Sequence, residues 1–162
     1  LWCADANPAA TGLEALTGLG ELYLDPVSVA NAPRLAPLLG QAAGVFPDWA
    51  EARTLTGATD PEEAASALLR TGVARVVITL GEQGVLVADA AGMVRRGPAT
   101  HGPIADVTGA GDAMVAGYLA ALARDEEDPV GWGLAAASLA LETMETVPVD
   151  LDVSRLVARL PH

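Results

Sequence analysis

The stretch DPEEAASALLRTGVARVVITLGEQGVLVADAAGMVRR, Asp60–Arg96, decides the fold. Its first part predicts a helix. Asp60 can accept from first-turn amides, Pro61 fits the first helical position, where its missing N–H is not needed, and Gly72 stops the helix. ARVVITL follows as a β-branched run, the pattern of a strand buried on both faces. GVLVADAAGMVRR reads differently, as two short strands reversed at Ala91-Gly92, an antiparallel pair. Together these predict a sheet that is parallel in its body and antiparallel at one edge.

The same alternation extends outward. LWCADA reads as a buried strand and PAATGLEALTGL as a helix begun by Pro8. ELYLDP is a strand ended by Pro26, and NAPRLAPLLG a short helix with Gly40 past its end. AGVF is a brief strand. DWAEARTLTG is a helix with Asp48 as N-cap, Glu51 at the third position and Gly57 just beyond its end. Past the antiparallel pair come two long helices, about Gly111–Arg124 and Pro129–Glu145. DVSRLVARL makes a last short helix capped by Asp152 or Ser154. The charge run RDEEDP, Arg124–Pro129, reads as a solvated loop between the two long helices. Cys3 is expected as a buried small hydrophobe, and Trp2, Trp49 and Trp132 as packing residues. Strand–helix repeats of this kind predict an α/β layered fold, a mostly parallel sheet with helices on both faces.

Composition narrows the chemistry. The 162 residues suit one domain, and 51% hydrophobic residues supply its core. No apolar run is long enough to predict a membrane span. The formal charge of −12 repels nucleic acid and anionic lipid, so neither is expected as a partner. A single cysteine offers no disulfide framework and suits a reducing cytoplasm. LWCADANPAA carries an early Asp and lacks the charged start of a secretory leader. All nine basic residues are Arg. Without lysine there is no Walker A loop, no protein-kinase strand lysine, no Schiff base and no Ser-x-x-Lys hydrolase. His-Glu-x-x-His, Gly-x-Ser-x-Gly and Gly-x-Gly-x-x-Gly are absent as well. Because the chain opens on Leu1 and directly on a strand, it is expected to be part of a longer one.

DVTGAGDAMVAGYLAAL, Asp106–Leu122, carries the chemistry. Gly109 and Gly111 let successive N–H groups converge with no Cβ in the way. The following helix adds the positive end of its dipole, which makes an anion pocket from backbone alone. A carboxylate at Asp112, beside such a pocket, suits a general base that takes a proton while the pocket holds the group in transfer. An ordinary helix start, with an acid in the first turn and glycines for close packing, fits the same residues.

DVTGAGDAMVAGYL resembles, position for position, the C-terminal signature of the ribokinase-like (PfkB) sugar and nucleoside kinases. VVITLGEQGVLV resembles that family's strand–turn–strand with Thr-x-Gly-x-x-Gly, which alone reads as a tight turn. FPDWAEARTLTG resembles its Pro-Asn-x-x-Glu…Leu-Thr-Gly segment. DANP and LDPVSV resemble its central strand ends, and LDPVSVANAPRLAPLL looks most like its pseudouridine-kinase members. The resemblance spans almost all of this chain but only the C-terminal half or so of a family member.

It implies a three-layer α/β/α ribokinase-like fold without the N-terminal half and lid, with residues 1–162 as a single α/β domain, the ATP-binding and catalytic part. It implies transfer of the γ-phosphoryl group of ATP to a hydroxyl of a small-molecule sugar or nucleoside. Asp112 would be the base, and the N–H groups of Gly109, Ala110 and Gly111 would stabilise the migrating phosphoryl group. Thr79, Gly81 and Gly84 would lie along the nucleotide, together with Thr108, Gly109 and Gly111, and Ala137–Thr143 near the adenine. Asp106 and Thr108 would adjoin a monovalent cation such as K⁺. Glu51 would position Mg²⁺ through water, with Asp48 beside it where the family usually has Asn. Asp48 cannot donate an amide N–H and adds negative charge near a triphosphate, and as residues alone Asp48 and Glu51 also read as a capping pair. Two other readings stay open: a truncated or degenerate homologue that binds nucleotide or a partner chain without turnover, and another α/β nucleotide binder such as an oxidoreductase. A sheet cut in mid-order exposes a strand edge, so self-association into a homo-oligomer or a missing N-terminal half is expected.

Overall fold

The computed structural model describes residues 1–8, 12–13, 15–16, 18, 20–145 and 152–160. The chain forms two compact units, Leu1–Arg96 and Gly97–His162.

The first unit is built on six strands: β1 (Trp2–Asp5), β2 (Leu22–Asp25), β3 (Gly44–Val45), β4 (Arg75–Thr79), β5 (Val85–Asp89) and β6 (Gly92–Arg96). They lie in sequence order across the sheet. β1 to β4 run parallel, while β5 is antiparallel to both β4 and β6, which gives the expected mixed edge. Helices α1 (Trp49–Thr56) and α2 (Pro61–Arg70) join a 3₁₀ segment (Ala32–Gln41) in one apolar cluster with the sheet. Leu24, Val45, Val76, Ile78 and Leu86 meet Leu35, Ala52 and Leu68 there. Burying each such Val, Leu or Ile contributes about 1.5–3 kcal/mol. Tyr23, Val77 and Val87, alternating onto the opposite face, are buried as well. The uninterrupted β-branched run of β4 is the sequence form of that two-sided burial.

Caps fall where the side chains ask for them. Asp60 Oδ1 accepts from Glu63 N at 2.7 Å, and Gly57 closes α1 in the left-handed region. Arg75 pairs with Asp89 at 2.8 Å across β4 and β5, directly opposite in register.

In the first unit three details differ from expectation. The 3₁₀ segment contains Gly40 instead of ending before it, and Pro37 inside it removes an amide a regular α-helix would use. Gly40 also lies so close to the next loop that a Cβ there would sit 2.8 Å from the Thr71 carbonyl. The β5–β6 reversal falls on Ala90 and Ala91, since Gly92 already pairs with Asp89. β1 is the outermost strand on its side, so Trp2 is half exposed and Cys3 is exposed, neither of them buried. The helix read from Pro8 lies largely outside the described residues; Gly12 and Leu13 are helical.

The second unit contains α3 (Ala110–Leu122), α4 (Pro129–Ala140) and α5 (Val153–Ala158), the last capped by Asp152. Ala121, Trp132, Ala135, Leu139 and Leu156 form its core. α3 and α4 touch through glycine. A Cβ on Gly117 would stand 2.6 Å from the Trp132 carbonyl and 2.7 Å from Ala136 Cβ, and one on Gly133 would stand 2.6 Å from Met114 Sδ. α4 stops at Ala140, five residues short of the expected Glu145. Its last amides tighten to three-residue spacing, Glu142 N to Leu139 O and Thr143 N to Ala140 O, while the Glu142 side chain is held elsewhere. No helix among the described residues is long and apolar enough to cross a membrane.

Gly117→Ala and Gly133→Ala are each expected to destabilise the protein by about 1–3 kcal/mol through overpacking, measured by urea denaturation. Midpoints equal to wild type would contradict the close α3–α4 approach.

Candidate functional site

In open parallel sheets, ligands gather at the carboxyl ends of the strands. Here those ends carry Asp25 after β2, Asp48 after β3 and Thr79 at the end of β4. Thr79 N donates to Pro47 O at 3.0 Å, and Thr79 and Asp48 form an isolated parallel bridge, so the two lie side by side. From Thr79 the chain enters a single 3₁₀ turn, Gly81–Gln83, closed by Leu80 N to Gly84 O at 2.8 Å. Gly84 takes φ 81° and ψ −125°, a conformation that side chains with a Cβ avoid. Asp48, Trp49, Thr79, Gly81, Gln83 and Arg95 line one open cleft. Three residues singled out from sequence, Asp48, Thr79 and Gly81, are thereby brought together, with Gly84 buried at the base of the turn.

Asp48 and Glu51 form a reciprocal capping box. Asp48 Oδ1 accepts from Glu51 N at 2.7 Å, and Glu51 Oε2 accepts from Asp48 N at 2.9 Å. Glu51 is only 6% exposed. Burial pushes its pKa above the ordinary glutamate value; the hydrogen bond from Asp48 N opposes this, and the Asp48 and Asp25 carboxylates add to it. Beside Asp25 stands Val27, a β-branched residue at φ 64°, whose amide donates to Asp25 Oδ1 at 3.0 Å. That is local strain at the strand end.

A Mg²⁺ site can be tested against these donors. Among the described residues no group of three or more His, Cys, Asp or Glu could hold a metal. The capping box occupies one oxygen of Asp48 and one of Glu51. This donor set fits an ion that keeps most of its shell as water and phosphate, the habit of Mg²⁺, and does not fit an all-protein cage.

The second unit holds the Gly-Ala-Gly-Asp segment. Asp106 Oδ1 accepts from both Thr108 N and Thr108 Oγ1 at 3.0 Å, and these bonds hold its carboxyl below the usual aspartate range. Gly109 then occupies the capping position of α3 at φ 82° and ψ −4°, with no side chain capping the helix. A residue with a Cβ pays to stand there, and glycine does not. A Cβ added at Gly111 meets no atom within 4 Å, and Gly111 and Asp112 are exposed. The mouth of α3 is therefore open, with the positive end of a helix dipole, a carboxylate in the first turn, and Ala110 N engaged only by a long 3.4 Å bond to Val107 O. Asp106, Thr108, Gly109, Ala110, Gly111 and Asp112 come together here, while Glu51 and Asp48 belong to the first unit.

Two features escaped the sequence reading. Arg95 on β6 lines the cleft and is held by Glu62 of α2 at 2.7 Å, a partner 33 residues away in sequence. Glu142 receives two hydrogen bonds from Arg159 and one from Gly102 N. Nothing in its local sequence marks it. His101 is an exposed loop residue.

The pfkB family carbohydrate kinase profile matches residues 14–151. The chain belongs to the pfkB family. It is 43% identical over 93 residues to a cytidine kinase of Thermococcus kodakarensis, an alignment covering 56% of this chain and 33% of that protein. To a pseudouridine kinase of Escherichia coli it is 29% identical over 144 residues, 85% of this chain and 46% of the relative. A putative sugar kinase from Clostridium perfringens superposes with a TM-score of 0.87 at 26% identity, over 98% of this chain and 53% of that structure. The fold is ribokinase-like. The chain spans a third to a half of the length of the curated relatives it matches.

Glu51→Gln keeps an acceptor for Asp48 N and removes a buried charge. A carboxyl with a raised folded-state pKa contributes most stability below its unfolded value near 4.5 and loses it as pH rises toward the folded value. The variant is expected to melt above wild type at pH 7, with the gap closing toward pH 4. A lower melting temperature at pH 7 would contradict the burial.

Proposed function

We propose that the protein is an ATP-dependent phosphotransferase acting on a hydroxyl of a sugar or nucleoside. The observation that carries the reading is the open mouth of α3: Gly109 in the left-handed region, no capping side chain, and exposed Asp112 in the first turn. In a chain with no lysine, this is a way to hold a phosphoryl group on backbone amides.

Asp112 takes the proton from the acceptor hydroxyl, whose oxygen forms the new bond to the γ-phosphorus as the bond to the ADP oxygen breaks. The amides of Gly109, Ala110 and Gly111 receive the charge on the phosphoryl oxygens. Removing one donor of this kind typically costs about 2.7–4 kcal/mol of the barrier. Thr79 and Gly81, with Gly84 shaping the turn beneath them, are the first unit's candidates for nucleotide contact, and Thr108, Gly109 and Gly111 are the second unit's candidates for phosphate contact. Asp48 and Glu51 would hold Mg²⁺ through water, and the ion when bound neutralises phosphate charge. Asp106, fixed by Thr108, would adjoin a monovalent cation. Likeness to cytidine and pseudouridine kinases and to a 1-phosphofructokinase supports both nucleosides and sugars as acceptors to test.

The test is a coupled assay of the full-length protein against nucleosides and sugars. Asp112→Asn is expected to lower kcat about 10²–10⁴-fold while ATP binding persists. Unchanged turnover would remove Asp112 from the role. ATP binding by wild type with no turnover of any acceptor would favour a degenerate homologue.

A further inference from the structure

We propose that the Glu142–Arg159 ion pair is a positioning clamp for the transfer site: it fixes the segment leading into the mouth of α3 and so sets the rate of the chemical step. This rests on the transfer site proposed above.

Arg159 follows directly on α5. Its Nη1 donates to Glu142 Oε1 at 2.6 Å and its Nη2 to Oε2 at 3.0 Å, a two-pronged contact that fixes orientation as well as distance. The same Nη1 reaches the Thr100 carbonyl at 3.1 Å. Glu142 Oε1 also accepts from Gly102 N, and a Cβ on Gly102 would stand 3.1 Å from that oxygen. One residue earlier, the Leu141 carbonyl accepts from Ala105 N at 2.7 Å. The loop segment 100–105 is thus pinned at three points to two adjacent residues past α4 and to one residue past α5. Asp106 follows immediately, holds Thr108 by two bonds, and Gly109 comes next. Hydrogen bonds therefore run from Arg159 as far as Thr108, the residue before the capping glycine, while the side chains of Ile104 and Val107 stay exposed.

The pair is half-buried, at 28% and 20% side-chain exposure, and its bidentate geometry is the kind that lets an ion pair contribute measurably. Arg155 adds a second positive charge near Glu142, and His101 Nδ1 lies 2.7 Å from the Gly102 carbonyl. α5 is itself anchored by Leu156 in the core with Trp132 and Leu139. Loosening the loop would misplace the amides of residues 109–111 by a fraction of an ångström, and a 1 Å misplacement can cost on the order of 100-fold in rate.

The test compares full-length wild type, Glu142→Gln and Arg159→Lys for kcat, KM for ATP, melting temperature and amide hydrogen exchange. The proposal expects kcat to fall roughly 10- to 100-fold in Glu142→Gln, and less in Arg159→Lys, with KM for ATP nearly unchanged, well below the melting temperature. It also expects faster exchange through residues 102–112. A purely structural pair would lower the melting temperature and leave kcat at wild-type values, with faster exchange confined to 100–102 and α5; that result overturns the proposal. Should Glu142→Gln fail to fold, Arg159→Lys decides alone. If wild type turns over no acceptor, the functional reading fails, and the exchange pattern by itself supports or overturns the clamp.

Discussion

Gly109 is the constraint on which the second unit turns. At φ 82° it ends the incoming loop and begins α3 in one residue. No side chain reaches back to cap that helix, and of its first amides Ala110 N makes a long 3.4 Å bond to the Val107 carbonyl, with the helix dipole behind them. The direction in which they point depends on how α3 is seated. Gly117 and Gly133 bring α3 and α4 together until a methyl group would collide, which leaves α3 little freedom to slide. A backbone site of this kind has no side chain that can adjust for error, so packing must supply the accuracy.

The unit containing the sheet meets a related demand by other means. Asp48 and Glu51 cap α1 and each other, which places two carboxylates at the end of β3 beside Thr79. Burying Glu51 near Asp25 and Asp48 works against its ionised form. Val27, strained next to Asp25, lies at the same edge. Unfavourable backbone and charge arrangements collected at the ligand-binding end of a parallel sheet mark a region shaped for more than stability.

Much of this architecture was legible because local signals were strong. Asp60-Pro61, Gly57 and the β-branched run at β4 each set a boundary by short-range chemistry, and each boundary held. The errors came where tertiary context overrode those signals. α4 looked helical to Glu145 because its composition stays favourable, yet a side-chain contact to Arg159 and an amide from the preceding loop draw Glu142 away. Trp2 and Cys3 were read as buried from their residue type, but burial on an outermost strand depends on what covers it. For the site, the Gly-Ala-Gly-Asp segment was visible because every part lies in one short run. Glu142, Arg159 and Arg95 were not, since their meaning arises only when residues far apart in sequence meet.

The proposed function requires that the amides of residues 109–111 grip the phosphoryl group in transit. It is tested most directly by ¹H–¹⁵N spectra of the full-length protein titrated with ADP, Mg²⁺ and aluminium fluoride, a mimic of that group. The account predicts large shifts and slowed exchange at Gly109, Ala110 and Gly111, beyond those caused by ADP alone. Tight binding of the mimic with those three amides unmoved would contradict it.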